Sequence, residues 1–185
     1  MAQQAGARVS WDTGADLNYG RKQEVLREYF DRYGPFKFVI ETGIWNGHGS
    51  CEQFMGEAEV VGIEVNDESA AAARARGFDV RTGDSAEWLP ALLASRNAPV
   101  FFWLDAHLVS EAHEPNHSPL MAELEAIYNW KHASGSVLMI DDVRLMGRDG
   151  WPSAKQVIDY LADRCPWWDR EIRDDIIRAV PGNKP

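Results

Sequence analysis

Four groups of residues carry the types and spacings that could do chemistry. The segment Glu41-Thr42-Gly43-Ile44-Trp45-Asn46-Gly47-His48-Gly49-Ser50 places three glycines between an apolar run and a helix-patterned segment. Such a loop lets the backbone turn sharply and come close to a ligand. Its spacing is GxxxGxG rather than the GxGxxG of dinucleotide sites. The carboxylate of Glu41 opening it suits a cationic or amino-bearing ligand better than a pyrophosphate. About 20 residues further on, Glu64 closes a second apolar run, where a carboxylate meets ribose hydroxyls in folds of this kind. Asp84 and Ser85 add acceptors for an adenine amino group, with Asp84 also suited to capping the next helix.

The last group is acidic. Phe101-Phe102-Trp103-Leu104 runs into Asp105-Ala106-His107, and Val137-Leu138-Met139-Ile140 runs into Asp141-Asp142. If these runs are neighbouring strands, Asp105, Asp141 and Asp142 meet at one sheet edge, where three oxygen donors plus waters suit Mg²⁺. His107 lies next to them with a side chain that titrates near neutrality, and it competes with Asp105 for the role of general base. His113 and His117, spaced HxxxH around Pro115, lack a defined third ligand for zinc. They read as part of a solvated lid over Ala106 to Ser118 that faces an acceptor.

The elements that must position these groups alternate. Apolar, β-rich runs at Phe36 to Ile40, Val60 to Glu64, Val80 to Arg81, Val100 to Leu104 and Val137 to Ile140 are separated by helix-patterned segments. The helices are expected near 21–33, 49–55, 68–76, 85–95, 119–132 and 152–164. Asn66 or Asp67, Asp84 and Ser118 stand at positions suited to helix starts. This is the pattern of an α/β chain with a mainly parallel, doubly wound, Rossmann-like sheet covered on both faces. Trp168 to Arg173 and Ile176 to Val180, flanking Asp174-Asp175, read as a C-terminal antiparallel hairpin with a two-residue turn.

Composition bounds the rest. A chain of 185 residues with 45% hydrophobic and 26% charged residues matches one soluble domain. It reads as residues 1–18, loosely ordered with Trp11 as an anchor, followed by one domain over 19–185. The formal charge of −10 argues against nucleic acid as a partner. No apolar run is long enough for a membrane helix and the N-terminus does not resemble a signal peptide, which points to the cytoplasm. Cys51 and Cys165 form no CxxC pair and read as reduced thiols without a chemical role.

Taken in order, ETGIWNGHGS, VVGIEV, TGDS, FFWLDAH, SPLMAELEAI and VLMIDDV resemble class I S-adenosylmethionine-dependent methyltransferases over about Tyr19 to Pro181. The ETG-x-W-x-G opening with the LDAH and IDD strand ends is similar, more narrowly, to the metal-dependent macrocin O-methyltransferase group. Trp45 stands where many methyltransferases carry another glycine. The resemblance implies a seven-stranded sheet of order 3-2-1-4-5-7-6. It also implies roles: Glu41, Gly43, Gly47 and Ser50 at the methionine portion of S-adenosylmethionine, Glu64 at the ribose, Asp84 and Ser85 at the adenine, and Asp105 beside the cofactor. Mg²⁺ on Asp105, Asp141 and Asp142 would bind a hydroxylated small-molecule acceptor, a sugar or natural product, and lower its hydroxyl pKa. Little helical cover precedes the acceptor site, which implies closure by a second subunit in a homo-oligomer. The competing readings are a non-catalytic binding module with this fold, its tryptophans forming partner surfaces, and another metal-dependent transferase or hydroxylase.

Overall fold

The computed structural model describes residues 19–47, 49–106, 118–148 and 150–182. His107, His113, His117 and the rest of residues 107–117 of the expected lid fall outside these residues, as do residues 1–18. Seven strands form a single sheet: β1 (Phe38–Thr42), β2 (Glu59–Glu64), β3 (Asp79–Thr82), β4 (Val100–Leu104), β5 (Val137–Ile140), β6 (Trp168–Arg173) and β7 (Ile176–Pro181). Their order is β3-β2-β1-β4-β5-β7-β6. The first five are parallel, while β7 is antiparallel to both β5 and β6. This is the Rossmann-like sheet expected from the alternating pattern and the resemblance.

Strand alternation builds two cores. Along β4, Phe102 and Leu104 point to one face and Phe101 and Trp103 to the other. Along β5, Leu138 and Ile140 join the first face and Val137 and Met139 the second. Helices α3 (Ser85–Ala94), α4 (Leu120–Tyr128) and α5 (Ala154–Arg164) cover the first face. Helices α1 (Tyr19–Tyr33) and α2 (Asp67–Ala75) cover the second. The buried stripe of α1 is Val25, Leu26, Tyr29 and Phe30, spaced as a single helical face.

The caps are those the side chains dictate. Asn66 accepts from the Ser69 amide at the start of α2 and Asp84 from the Ala86 amide at the start of α3. The hairpin turn is Asp174-Asp175, with φ 54° and 62°, the left-handed pair that fits the twist of flanking strands. Buried Arg178 on β7 donates to Asp174 and Glu171 and lies over the Tyr29 ring, tying the hairpin to α1.

Three expectations shift. The first strand continues through Thr42, so Glu41 lies inside the sheet rather than in the loop. Residues 50–54 form a 3₁₀ turn rather than an α-helix, and its first two amides, those of Ser50 and Cys51, donate to the Glu41 carboxylate. Helix α4 starts one residue after Pro119 and ends at Tyr128, short of His132.

Candidate active site at the carboxyl edge of the sheet

Register decides which side chains meet. Thr42 pairs with Ile63 on β2 and with Leu104 on β4, and Leu104 pairs with Ile140 on β5. The next residues therefore emerge in one row: Glu64, Gly43, Asp105 and Asp141. Backbone hydrogen bonds extend this row beyond the strands, with the Gly43 amide on the Ile63 carbonyl (2.8 Å), Asp105 on Thr42 (3.1 Å) and Asp141 on Leu104 (3.0 Å). The strand order reverses between β1 and β4, and ligands of open parallel sheets bind in the crevice at that point.

The loop after β1 is held mainly by carboxylates, with Arg76 donating to the Gly47 carbonyl at 2.8 Å. Buried Glu41 accepts from the amides of Ser50 (2.8 Å) and Cys51 (3.1 Å). Burial nevertheless pushes its carboxyl up to about 8, with those two amides opposing the rise. Glu64 accepts from the Trp45 amide at 2.8 Å and from the Asn66 amide at 2.9 Å, one bond to each oxygen. Each oxygen keeps a second lone pair for another donor. A Cβ on Gly43, at φ +75°, would lie 2.4 Å from the Asp105 carbonyl oxygen, so only glycine allows the β1 and β4 loops to touch there. Trp45 is held at φ 52°, a conformation bulky residues rarely adopt, and the residue is 65% exposed.

Asp84 caps α3 and remains partly exposed, whereas Ser85 is turned inward. Ser85 Oγ lies with Thr42 Oγ1 and Glu123 of α4 in a buried polar cluster. The two hydroxyls approach the Glu123 carboxyl without reaching full hydrogen-bond geometry. Burial pushes that carboxyl up to about 7, and the nearby hydroxyls only partly offset it. Glu123 was hidden in the sequence because its position in SPLMAELEAI reads as an ordinary helix residue.

The acidic end of the row has more members than the three expected aspartates. Asp175 lies with Asp141 and Asp142, one carboxylate oxygen of each within 4.8 Å of the others and all three buried. The antiparallel β7 explains this: Ile177 pairs with Ile140, so the β6–β7 turn sits at the same edge as the ends of the parallel strands. Two cations enter as well. Lys22 Nζ of α1 lies 2.5 Å from Asp141 Oδ2 and 3.5 Å from Asp142 Oδ1. The Arg144 guanidinium donates to Asp142 Oδ1 at 2.6 Å and to Asp175. Asp141 Oδ1 is taken by the Asp142 amide at 2.8 Å.

Asp142 is itself in the left-handed region, at φ 58°, which turns the chain back toward Asp175. Burial and the nearby Asp105 charge push Asp141 upward, while Lys22 opposes the shift. Burial acts to lower Lys22, but Asp141, Asp142 and Asp105 together raise it and keep the ammonium form. Asp105 thus shares the local field of the pair but is not in the tight group of three.

This donor set does not fit the expected Mg²⁺ on Asp105, Asp141 and Asp142. Asp141 accepts at both oxygens, from Lys22 and the Asp142 amide, and Asp142 Oδ1 accepts from Lys22 and Arg144. An ammonium thus already lies between the two aspartates, and Asp105 stands outside the group of three. The crevice beside Glu64 and Gly43 is different. Its side-chain groups are carboxylates, which accept hydrogen bonds, with Arg76 spent on the Gly47 carbonyl and Glu52. That chemistry fits a sulfonium-bearing nucleoside.

No protein-family model matches the chain, and no curated protein matches it. Solved structures do. The MycE methyltransferase of the mycinamycin biosynthetic pathway, in complex with Mg, SAH and mycinamycin VI, is 14% identical with a TM-score of 0.63. The match covers 88% of this chain and 50% of that one, so the chain spans about half the length of MycE. Magnesium protoporphyrin IX methyltransferase (ChlM) from Synechocystis PCC 6803, with bound SAM, is 13% identical over 95% of this chain and 88% of that chain, with a TM-score of 0.51. A SAM-dependent methyltransferase from Archaeoglobus fulgidus is 18% identical over 79% and 67% of the two chains, with a TM-score of 0.54. With the strand order, these likenesses give the chain the Rossmann-like fold of SAM-dependent methyltransferases.

Proposed function

We propose that the chain is an S-adenosylmethionine-dependent O-methyltransferase acting on a hydroxyl of a small molecule, a sugar or natural product like those of the macrocin group. The observation that carries this reading is the row Glu64, Gly43, Asp105 and Asp141 at the strand-order reversal. It offers carboxylates to a ribose and to a positive centre, and among the described residues the arginine that reaches the loop, Arg76, is taken up by the Gly47 carbonyl and Glu52. In this reading Gly43, Gly47 and Ser50 line the methionine end, with Glu41 holding the loop from beneath. Glu64 accepts from the ribose hydroxyls, Asp84 faces the adenine and Asp105 lies nearest the reacting centre.

The bound cofactor supplies an electrophilic methyl group on a sulfonium. The protein's part in such an in-line displacement is alignment and proton removal. Glu41 and Glu64 fix the segment after β1 by three backbone amides, and Glu64 also takes the Asn66 amide after β2, which sets the position of the methyl-donor side. Asp105, or His107 two residues on, takes the acceptor proton. The expected homo-oligomer would cover the acceptor side.

The test is release of S-adenosylhomocysteine from S-adenosylmethionine across a panel of hydroxylated sugars and macrolides, with amino-sugar analogues alongside. Product formation that needs the free hydroxyl supports the reading. Methylation confined to the amine would replace it with N-methyl transfer.

A further inference from the structure

Lys22 occupies a position that helix geometry reserves for an apolar side chain. It is three and four residues before Val25 and Leu26 and seven and eight before Tyr29 and Phe30, all buried on one face of α1. A lysine at the head of such a stripe must either reach water or find a counter-charge. Its side chain is 14% exposed, and its Nζ meets Asp141 and Asp142, 119 and 120 positions away in sequence. Asp141 is fully buried at its side chain. The pairing is therefore a built contact between the first helix and the end of β5, not a surface encounter.

We infer that Lys22 is the built-in cation of this edge: its ammonium fills the position between Asp141 and Asp142 that a divalent ion would have to bridge. A hard divalent ion sits about 2.0 to 2.6 Å from its carboxylate oxygens. One placed between these aspartates would share its volume with Nζ and face a like charge at contact distance. Arg144 balances the other side, on Asp142 and Asp175. Two cations, Lys22 and Arg144, thus face the three carboxylates from within the chain and offset most of their charge, one of the two being supplied by α1. This inference does not depend on methyl transfer, since it concerns cation occupancy of the protein alone.

The test is Mn²⁺ binding followed by paramagnetic resonance of the free ion, on the wild-type chain and on Lys22→Met, a neutral side chain of similar length. The wild type is expected to leave the free signal unchanged. Lys22→Met is expected to take up one Mn²⁺ at least about tenfold more tightly than wild type, and Asp141→Asn in the same background to lose it. Mn²⁺ should also raise the melting temperature of Lys22→Met but not of the wild type. If Lys22→Met does not fold, Lys22→Gln, which keeps a donor toward Asp141, serves in its place. A wild-type Mn²⁺ site that Asp141→Asn removes would overturn the inference. So would a folded Lys22 variant that binds Mn²⁺ no better than wild type, because the aspartates would then not form the cation position that Lys22 fills.

Discussion

Lys22 Nζ and Asp141 Oδ2 lie 2.5 Å apart although 119 positions separate them in the sequence. The contact joins the helix that covers one face of the sheet to the strand end that carries the acidic edge. Removing one member of such a part-buried pair leaves the other without compensation, a loss of stability of about 3 to 5 kcal/mol where the remaining charge is buried. Asp141, fully buried at its side chain, is the member that would be stranded.

The Gly43 position offers the sharpest steric prediction. Gly43→Ala places a Cβ at φ +75° and 2.4 Å from the Asp105 carbonyl oxygen. The strained backbone alone costs about 1 to 2 kcal/mol, and the clash with main chain adds to it. Thermal unfolding should show a melting temperature lower by several degrees, and cofactor binding should fall with it. An unchanged melting temperature would mean that the β1 and β4 loops do not touch as described.

Glu123 predicts a pH dependence. Its carboxyl is moved from 4.5 to about 7 by burial, so the folded state binds its proton more tightly than the unfolded state does. The stability this contributes is complete below about 4.5 and is lost as the pH rises through 7, a change of about 3 kcal/mol from this one group. Denaturant unfolding of Glu123→Gln should therefore show a flatter profile than wild type between those pH values. Parallel profiles would place the titration elsewhere.

The base assignment is tested by comparing histidines. His107→Ala should lower kcat about 100-fold with cofactor affinity nearly unchanged, the usual scale for a lost general base, whereas His113→Ala and His117→Ala should change it little. Equal small effects from all three, with a large one from Asp105→Asn, would give the proton to Asp105.

Much of this was legible in the sequence. Continuous apolar runs ending in Glu64, Asp105 and Asp141 showed the sheet and its chemical edge, because a buried parallel strand must be apolar and its polar residues then collect at the end. The Asp174-Asp175 turn was equally plain. What the turn does was not, since Asp175 reaches the site only through the antiparallel pairing of β7 with β5. Lys22 was invisible for a related reason: a lysine near a helix start reads as solvated until a partner 119 positions away is placed against it. Glu41 was found as a site residue but assigned to the loop, because nothing local tells a strand's last buried acid from the first residue after it.

The central claim is that the β1 loop and Glu64 hold S-adenosylmethionine, and titration calorimetry of that ligand into wild type and Glu64→Ala tests it most directly. The wild type is expected to show one site per chain and the variant an affinity weaker by about ten- to a hundred-fold, because it loses a charge-assisted acceptor worth about 1.5 to 3 kcal/mol together with the bonds to Trp45 and Asn66. Absence of binding by the wild type, or an isotherm that Glu64→Ala leaves unchanged, would contradict it.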